Sequence, residues 1–275
     1  MKFSVLASGS TGNSFFIESK NSKLLVDAGL SGKQIERLLE EVGVNAADLD
    51  AILITHEHSD HIKGVGVLAR RYQLPIYANS KTWEQLERQL GQIAEDQRLI
   101  MEVGETVEFG NIKVESYGLS HDAAEPMGFC FYEGEAKVSL TTDLGYVSQR
   151  IKDTVRDSDA YIFESNHDVE MLRMGSYPWN TKRRILSDVG HLSNDAAGEA
   201  LGDILAGKGE TVYLAHLSKE NNMTELARLT VKNILEEYGF YEGEDIHLMD
   251  TSPVHPTAVQ EIVRKGSGMT GNNGK

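Results

Sequence analysis

The chain has a single cysteine, Cys130, in 275 residues. It can form no internal disulfide, which fits a reducing compartment and sets the expectation of a cytoplasmic protein. The same scarcity means that a metal site must be built from nitrogen and oxygen ligands. No unbroken apolar run is long enough to span a bilayer, so no membrane partner is expected. The opening residues, Met1 to Ser10, turn polar too soon for a secretory signal. Positive charge is short as well, with 27 Lys and Arg against 42 Asp and Glu, a formal net charge of −15. A field of that sign repels polyanions at long range, so binding of nucleic acid needs a local basic patch or metal ions. Tandem repeats, linkers and low-complexity segments are also missing. One domain over 1–265 is therefore expected, followed by a Gly/Asn-rich disordered tail, 266–275.

What is present centres on Ala51-Ile52-Leu53-Ile54-Thr55-His56-Glu57-His58-Ser59-Asp60-His61. The apolar start reads as a short buried strand. Residues two apart in an extended backbone point to the same side, so His56 and His58 can grip one ion together. Asp60 and His61 fall where the chain turns, within reach of a second ion. Three histidines and an aspartate at a strand end are a metal-binding pattern rather than an ordinary polar loop.

The flanking pattern is layered α/β. Phe3 to Ala7, Phe15 to Glu18 and Lys23 to Asp27 read as an antiparallel meander. The Gly-rich turn Ser8 to Asn13 lacks the Gly-Lys-Ser/Thr ending of a phosphate loop and reads as a turn. Asp27 suits a carboxylate that holds a histidine ring by its spare N–H, in preference to a ligand. Helical spacing covers Gln34 to Val42, and another helix begins close to His61. Pro75 to Ala78 reads as a strand, and Ser80 as the cap of a helix. Thr106 to Phe109, Ile112 to Leu119, Met127 to Tyr132 and Ala136 to Leu140 read as hairpins. Tyr161 to Phe163 and Val212 to Ala215 are later strands, and Asn221 to Tyr238 is an amphipathic helix with Leu226, Leu229, Ile234 and Leu235 apolar.

His121, Asp143 and His216 each fall just past a strand end. Two divalent ions with a bridging water need about seven protein ligands, and this chain offers a matching set. His56, His58 and His121 would hold the first ion, Asp60, His61 and His216 the second, with Asp143 between them. Imidazole and carboxylate donors suit Zn²⁺, Mn²⁺ or Fe²⁺.

Thr55 to His61, Ser120-His121, Thr142-Asp143 and Ala215-His216-Leu217-Ser218 resemble the metallo-β-lactamase superfamily over nearly the whole chain. The resemblance implies a four-layer αββα sandwich of two mixed β-sheets with a two-metal site along one edge. Gly190-His191-Leu192-Ser193-Asn194 and Glu164-Ser165-Asn166 look like its nuclease branches, where such a histidine contacts the scissile phosphate and a carboxylate orients it. Leu6 to Asn13, Glu164 to Asp168 and His216 to Asn222 resemble the compact bacterial YycJ/WalJ-type proteins. That resemblance implies a metal-dependent 5′→3′ exonuclease on DNA, linked to mismatch repair. The expected mechanism uses a metal-bridging hydroxide oriented by Asp60, with His191 and Glu164 as further catalytic groups. Lys182, Arg183 and Arg184 supply the basic patch that composition demanded, and are expected to contact phosphates. Tyr177 or Trp179 would be placed to stack on a base, although Trp179 alone reads better as a core residue. A small-molecule metallohydrolase acting on a thioester, lactone or cyclic phosphodiester is the alternative, and the acidic charge favours it.

Overall fold

The computed structural model describes residues 1–262; the expected tail, 266–275, lies outside the described residues. The first half of the chain runs β1 (Lys2–Ala7), β2 (Ser14–Glu18), β3 (Lys23–Val26), α1 (Gly32–Glu41), β4 (Ala51–Leu53), α2 (Ser59–Ile62), α3 (Val65–Tyr72), β5 (Ile76–Ala78), α4 (Ser80–Leu86) and β6 (Arg98–Ile100). Short turns join β1, β2 and β3, so these pair antiparallel, and Ser19 N closes the second turn on Ser22 O at 2.8 Å. From β3 onward most connections contain a helix, and the strands run parallel as such crossovers require.

The second half repeats the scheme. β7 (Thr106–Phe109), β8 (Ile112–Gly118), β9 (Met127–Glu133) and β10 (Ala136–Thr141) form an antiparallel meander. Then follow α5 (Gln149–Val155), β11 (Ala160–Glu164), α6 (Val169–Met174), α7 (Trp179–Ile185), α8 (Asn194–Ile204), β12 (Glu210–Ala215), α9 (Thr224–Glu237) and β13 (Ile246–Asp250), with parallel pairing from β10 to β13. A last short strand, β14 (Gln260–Glu261), crosses back to pair with β1. The result is two seven-stranded mixed sheets, β14-β1-β2-β3-β4-β5-β6 and β13-β12-β11-β10-β9-β8-β7.

Alternation along the strands builds the layers. Phe15 and Ile17 of β2 enter the core between the sheets with Phe129 and Phe131 of β9, while Phe16 turns outward beneath α1, α3 and α4. In β11, Ile162 faces between the sheets, and Tyr161 and Phe163 face α5, α8 and α9. Both faces of each sheet are thus covered, which is why the central strands read as continuous apolar runs. Truncating Phe129 or Phe131 to Ala would cost about 3–5 kcal/mol.

Three expectations are corrected at helix ends. Asn79, and not Ser80, caps α4, its side chain accepting from Thr82 N at 2.8 Å. Helix α9 starts at Thr224, because Asn221 and Asn222 are committed to side-chain hydrogen bonds described below. Its buried stripe is Ala227, Val231 and Leu235, and Leu229 is exposed. Neither β13 nor β14 was expected; β14 is two residues long and its partner lies at the other end of the chain.

Parallel register decides where the chemistry falls. Val26 pairs with Leu53, Thr141 with Phe163 and Glu164 with Ala215, so β3, β4, β10, β11 and β12 end along one edge. The residues just past those ends are Asp27, Thr55, Asp143, Ser165 and His216.

Candidate metal centre

After β4 the chain stays extended through His58 (φ −64°, ψ 147°) and then winds into α2, which carries Asp60 and His61. His56 and His58 therefore lie two apart on extended backbone, and His61 comes back beneath them from the helix. The His56 and His61 rings are 4.2 Å apart between centroids. Asp27 fixes this turn. Its carboxylate accepts from Thr55 N at 2.9 Å and Thr55 Oγ1 at 2.7 Å, and its Oδ2 lies 2.7 Å from His61 Nδ1. With Nδ1–H donated to Asp27, His61 turns the lone pair of Nε2 inward. Only glycine fits at Gly29, since a Cβ there would lie 1.7 Å from Asp60 O.

His121 follows β8 and gives Nδ1–H to Gly190 O at 2.9 Å, so its Nε2 also faces the centre, 3.3 Å from His58 Nδ1. Asp143 follows β10. Its Oδ2 is 3.1 Å from His61 Nε2, and its Oδ1 is 3.4 Å from His216 Nε2 and 3.7 Å from His121 Nε2. It stands between two groups whose donor atoms lie within 4.8 Å of one another: His56, His58 and His121, and Asp60, His61 and His216. The structure thus brings all seven residues together, and the same geometry also groups His56 and His61 with Asp143, and Asp143 with Glu164, His191 and His216.

The donor set fits divalent ions. Nε2 of His56 and Nε2 of His216 are buried without a hydrogen-bond partner, and an unpaired buried nitrogen is costly unless it has a ligand. The surrounding carboxylates call for positive charge. Burial opposes a charged His216, but Asp143, Asp60 and Glu164 outweigh it and push its pKa up to about 10. Burial likewise opposes a charged His61, and Asp143 and Asp27 hold it well above the ordinary imidazole value. Burial works to raise Asp60, yet its contact with His216 and the charge of His61 keep its carboxyl below the usual range. In His56 burial and the neighbouring histidines prevail, and the ring is held neutral, the form that ligates.

Glu164 ends β11 wholly buried. Its Oε2 accepts from Leu144 N at 2.8 Å, and its Oε1 lies 2.7 Å from His191 Nδ1 and 3.0 Å from His216 Nδ1. The expected orienter of His191 therefore serves a second ring as well. Burial would raise this carboxyl, but the two histidines keep it below its ordinary value.

Behind these rings a buried amide network ties three loops together. Asn166 Nδ2 donates to His216 O at 2.7 Å. Asn222 Nδ2 lies 2.9 Å from Ser165 O and 3.0 Å from Asn166 O, and Asn194 Nδ2 donates to Asn222 Oδ1 at 3.0 Å. Spacing gave no sign of this network. The Gly-rich turn also belongs to the site, which corrects its reading as a plain turn. Asn13 Nδ2 is 3.1 Å from His61 Nε2 and 3.4 Å from Asp60 Oδ2, and Ser8 Oγ accepts from His216 N at 2.7 Å.

The basic run lies on α7. Lys182 is buried, and its ammonium donates to Arg173 O at 2.8 Å and Gly175 O at 2.6 Å. This corrects its expected role as a phosphate contact: its charge closes the end of α6. Arg184 pairs with Asp122, beside His121, and Arg183 is exposed. Trp179, expected in the core, is 61% exposed.

Comparison with known proteins agrees with this geometry. The model of the β-lactamase superfamily domain matches residues 22–217. The chain is 55% identical over 262 residues to the exodeoxyribonuclease YycJ of Bacillus anthracis, covering 95% of this chain and 99% of that one. It is 52% identical over 263 residues to the exodeoxyribonuclease WalJ of Streptococcus pneumoniae serotype 2, covering 95% and 98%. Among solved structures, the metallo-β-lactamase fold protein YhfI of Bacillus subtilis superposes with a TM-score of 0.69 at 18% identity, covering 93% of this chain and 98% of that one. No helix among the described residues is long and apolar enough to cross a membrane.

Proposed function

The chain belongs to the metallo-β-lactamase superfamily, and from that footing we propose that it is a metal-dependent exonuclease that hydrolyses phosphodiester bonds in DNA. The observation that carries this reading is the full-length identity, 55% and 52%, to two proteins named exodeoxyribonucleases. The pairing of His191 with Glu164 beside the ligand cluster supports it. A small-molecule hydrolase is favoured by the net charge but not by full-length identity.

His56, His58 and His121 would hold one divalent ion and Asp60, His61 and His216 the other, with Asp143 shared. Zn²⁺ or Mn²⁺ suits these donors. Bound there, such a pair activates water at neutral pH and offsets charge on the phosphate. The remaining work falls to the chain itself. Asp60, kept ionised, accepts a hydrogen bond from the attacking water and orients it. Glu164 accepts a hydrogen bond from Nδ1–H of His191, so that Nε2 is the nitrogen presented to the phosphate. From there Nε2 reaches the oxygen that gains charge or leaves and serves it as a hydrogen-bonding partner. Arg183 and Arg184 supply cations near that face. The 5′→3′ direction and a part in mismatch repair rest on resemblance.

The test is incubation of the metal-loaded protein with DNA and RNA, single- and double-stranded, labelled at either end. Stepwise loss of nucleotides from the 5′ end of DNA, stopped by chelation and restored by Zn²⁺ or Mn²⁺, is the expected result. Intact nucleic acid alongside rapid thioester or lactone hydrolysis would overturn the reading.

A further inference from the structure

The two tryptophans are held in opposite ways. Trp83 in α4 is 4% exposed, whereas Trp179, the first residue of α7, is 61% exposed and Met174, the last of α6, is 85% exposed. Leaving a large apolar side chain in water forgoes the free energy of burying it. The corner between α6 and α7 is nevertheless well anchored, because Lys182 ties α7 to the carbonyls of Arg173 and Gly175.

That corner is seated against both loops that carry reacting groups. A Cβ at Gly175 would sit 2.5 Å from Asn221 Oδ1, and Ser176 Oγ lies 3.4 Å from Glu220 Oε2, which places the corner beside the loop after His216. At the other end of α7, Ile185 O accepts from His191 N at 3.0 Å. Trp179 precedes Ile185 by six residues, about 9 Å of helix rise. Helix α7 thus links Trp179 at its start to the backbone of His191 at its end. Arg183 lies one turn on from Trp179, on the same side of the helix. It is exposed, and no carboxylate partner is found for it among the described residues. In a chain of net charge −15, an unpaired cation beside an exposed indole complements a nucleic-acid strand. A splayed base offers a π-face to the indole, and the backbone offers a phosphate to the guanidinium.

We propose that Trp179 and Arg183 form a platform for single-stranded DNA, on which a base near the cleaved bond stacks. The proposal rests on the nuclease reading above and gives that site its grip on the strand. Because Trp83 is buried, indole emission that responds to an added strand reports Trp179. The metal-loaded protein is titrated with a single-stranded oligodeoxynucleotide carrying phosphorothioate linkages, which resist cleavage. Emission is expected to be quenched and acrylamide access lost as the strand binds. Trp179→Ala should weaken binding about ten-fold, and Trp179→Phe, which keeps a ring, should restore most of it. Binding with unchanged emission, or equal binding by Trp179→Ala, overturns the platform. Failure of the nuclease reading looks different, since wild-type protein would then leave labelled DNA uncut.

Discussion

Oε1 of Glu164 lies 2.7 Å from Nδ1 of His191, a fully buried carboxylate set against a ring that keeps partial access to solvent. Of this pair, His191 is the member expected to serve proton chemistry rather than ion binding. His191→Ala should retain the bound metal in elemental analysis while kcat on DNA falls about 10²- to 10⁴-fold. Loss of metal from that variant would instead make His191 a ligand. Glu164→Gln should impair both properties, because Oε1 also lies 3.0 Å from His216 Nδ1.

Asp27 acts through His61. Asp27→Asn keeps a residue that tolerates the left-handed backbone found there, φ 56°, and removes only the carboxylate charge. Metal affinity should drop about 10- to 100-fold, measured by competition with a chromophoric chelator. Unchanged affinity would mean that the hydrogen bond to His61 does not matter to the ion.

Asn222 is the hub of the amide network, donating to Ser165 O and Asn166 O and accepting from Asn194 Nδ2. Asn222→Ala strands several buried groups, each worth about 1–3 kcal/mol. Denaturant melts should show a loss of that order. Because the network joins the His191 and His216 loops, kcat should fall in the surviving folded protein while KM for DNA changes little.

Cys130 is buried on the α5 side of β9, and burial pushes its thiol from 9.0 up to about 12. The folded chain therefore keeps the proton after the unfolded chain has released it. The stability this contributes is complete below pH 9 and is lost as pH rises from 9 to 12. Cys130→Ser, which does not ionise there, should show a shallower fall in stability over that window. Native protein should also resist thiol reagents that label it at once in guanidinium.

Much of the site was legible because metal ligation imposes local spacing. His56, His58, Asp60 and His61 sit on one strand-to-helix turn, and His121, Asp143 and His216 each mark a strand end. Asp27 is legible for the same reason, as the residue that closes β3 and reaches His61. What stayed hidden depends on distant partners. Lys182 looks like surface charge until the end of α6 is placed against it. Glu164 lies 52 residues from His216, and nothing local announces that one oxygen serves two rings. Asn222 reads as part of the first turn of a helix, because the backbone carbonyls it satisfies belong to another loop. Trp179 reads as core on residue type alone, and only its packing shows it standing in water.

Asp27, Asp143 and His216 have φ of 56°, 63° and 57°, and they account for three of the five non-glycine residues with positive φ among those described. Each turns the chain at or just past a strand end; Asp143 and His216 offer a donor atom to the centre, and Asp27 holds the His61 ring that does. Asn, Asp and His are the residue types that accept this backbone several-fold more readily than others. They are also, in the cases of Asp and His, the types that coordinate hard and borderline cations. Two independent filters, conformational and chemical, thus pass nearly the same alphabet. The mutational neighbourhood of these positions is correspondingly narrow. A library that randomises them should return folded, metal-loaded clones drawn almost entirely from Asp, Asn and His, so that ligand swaps which spare the backbone are the accessible route to a different ion.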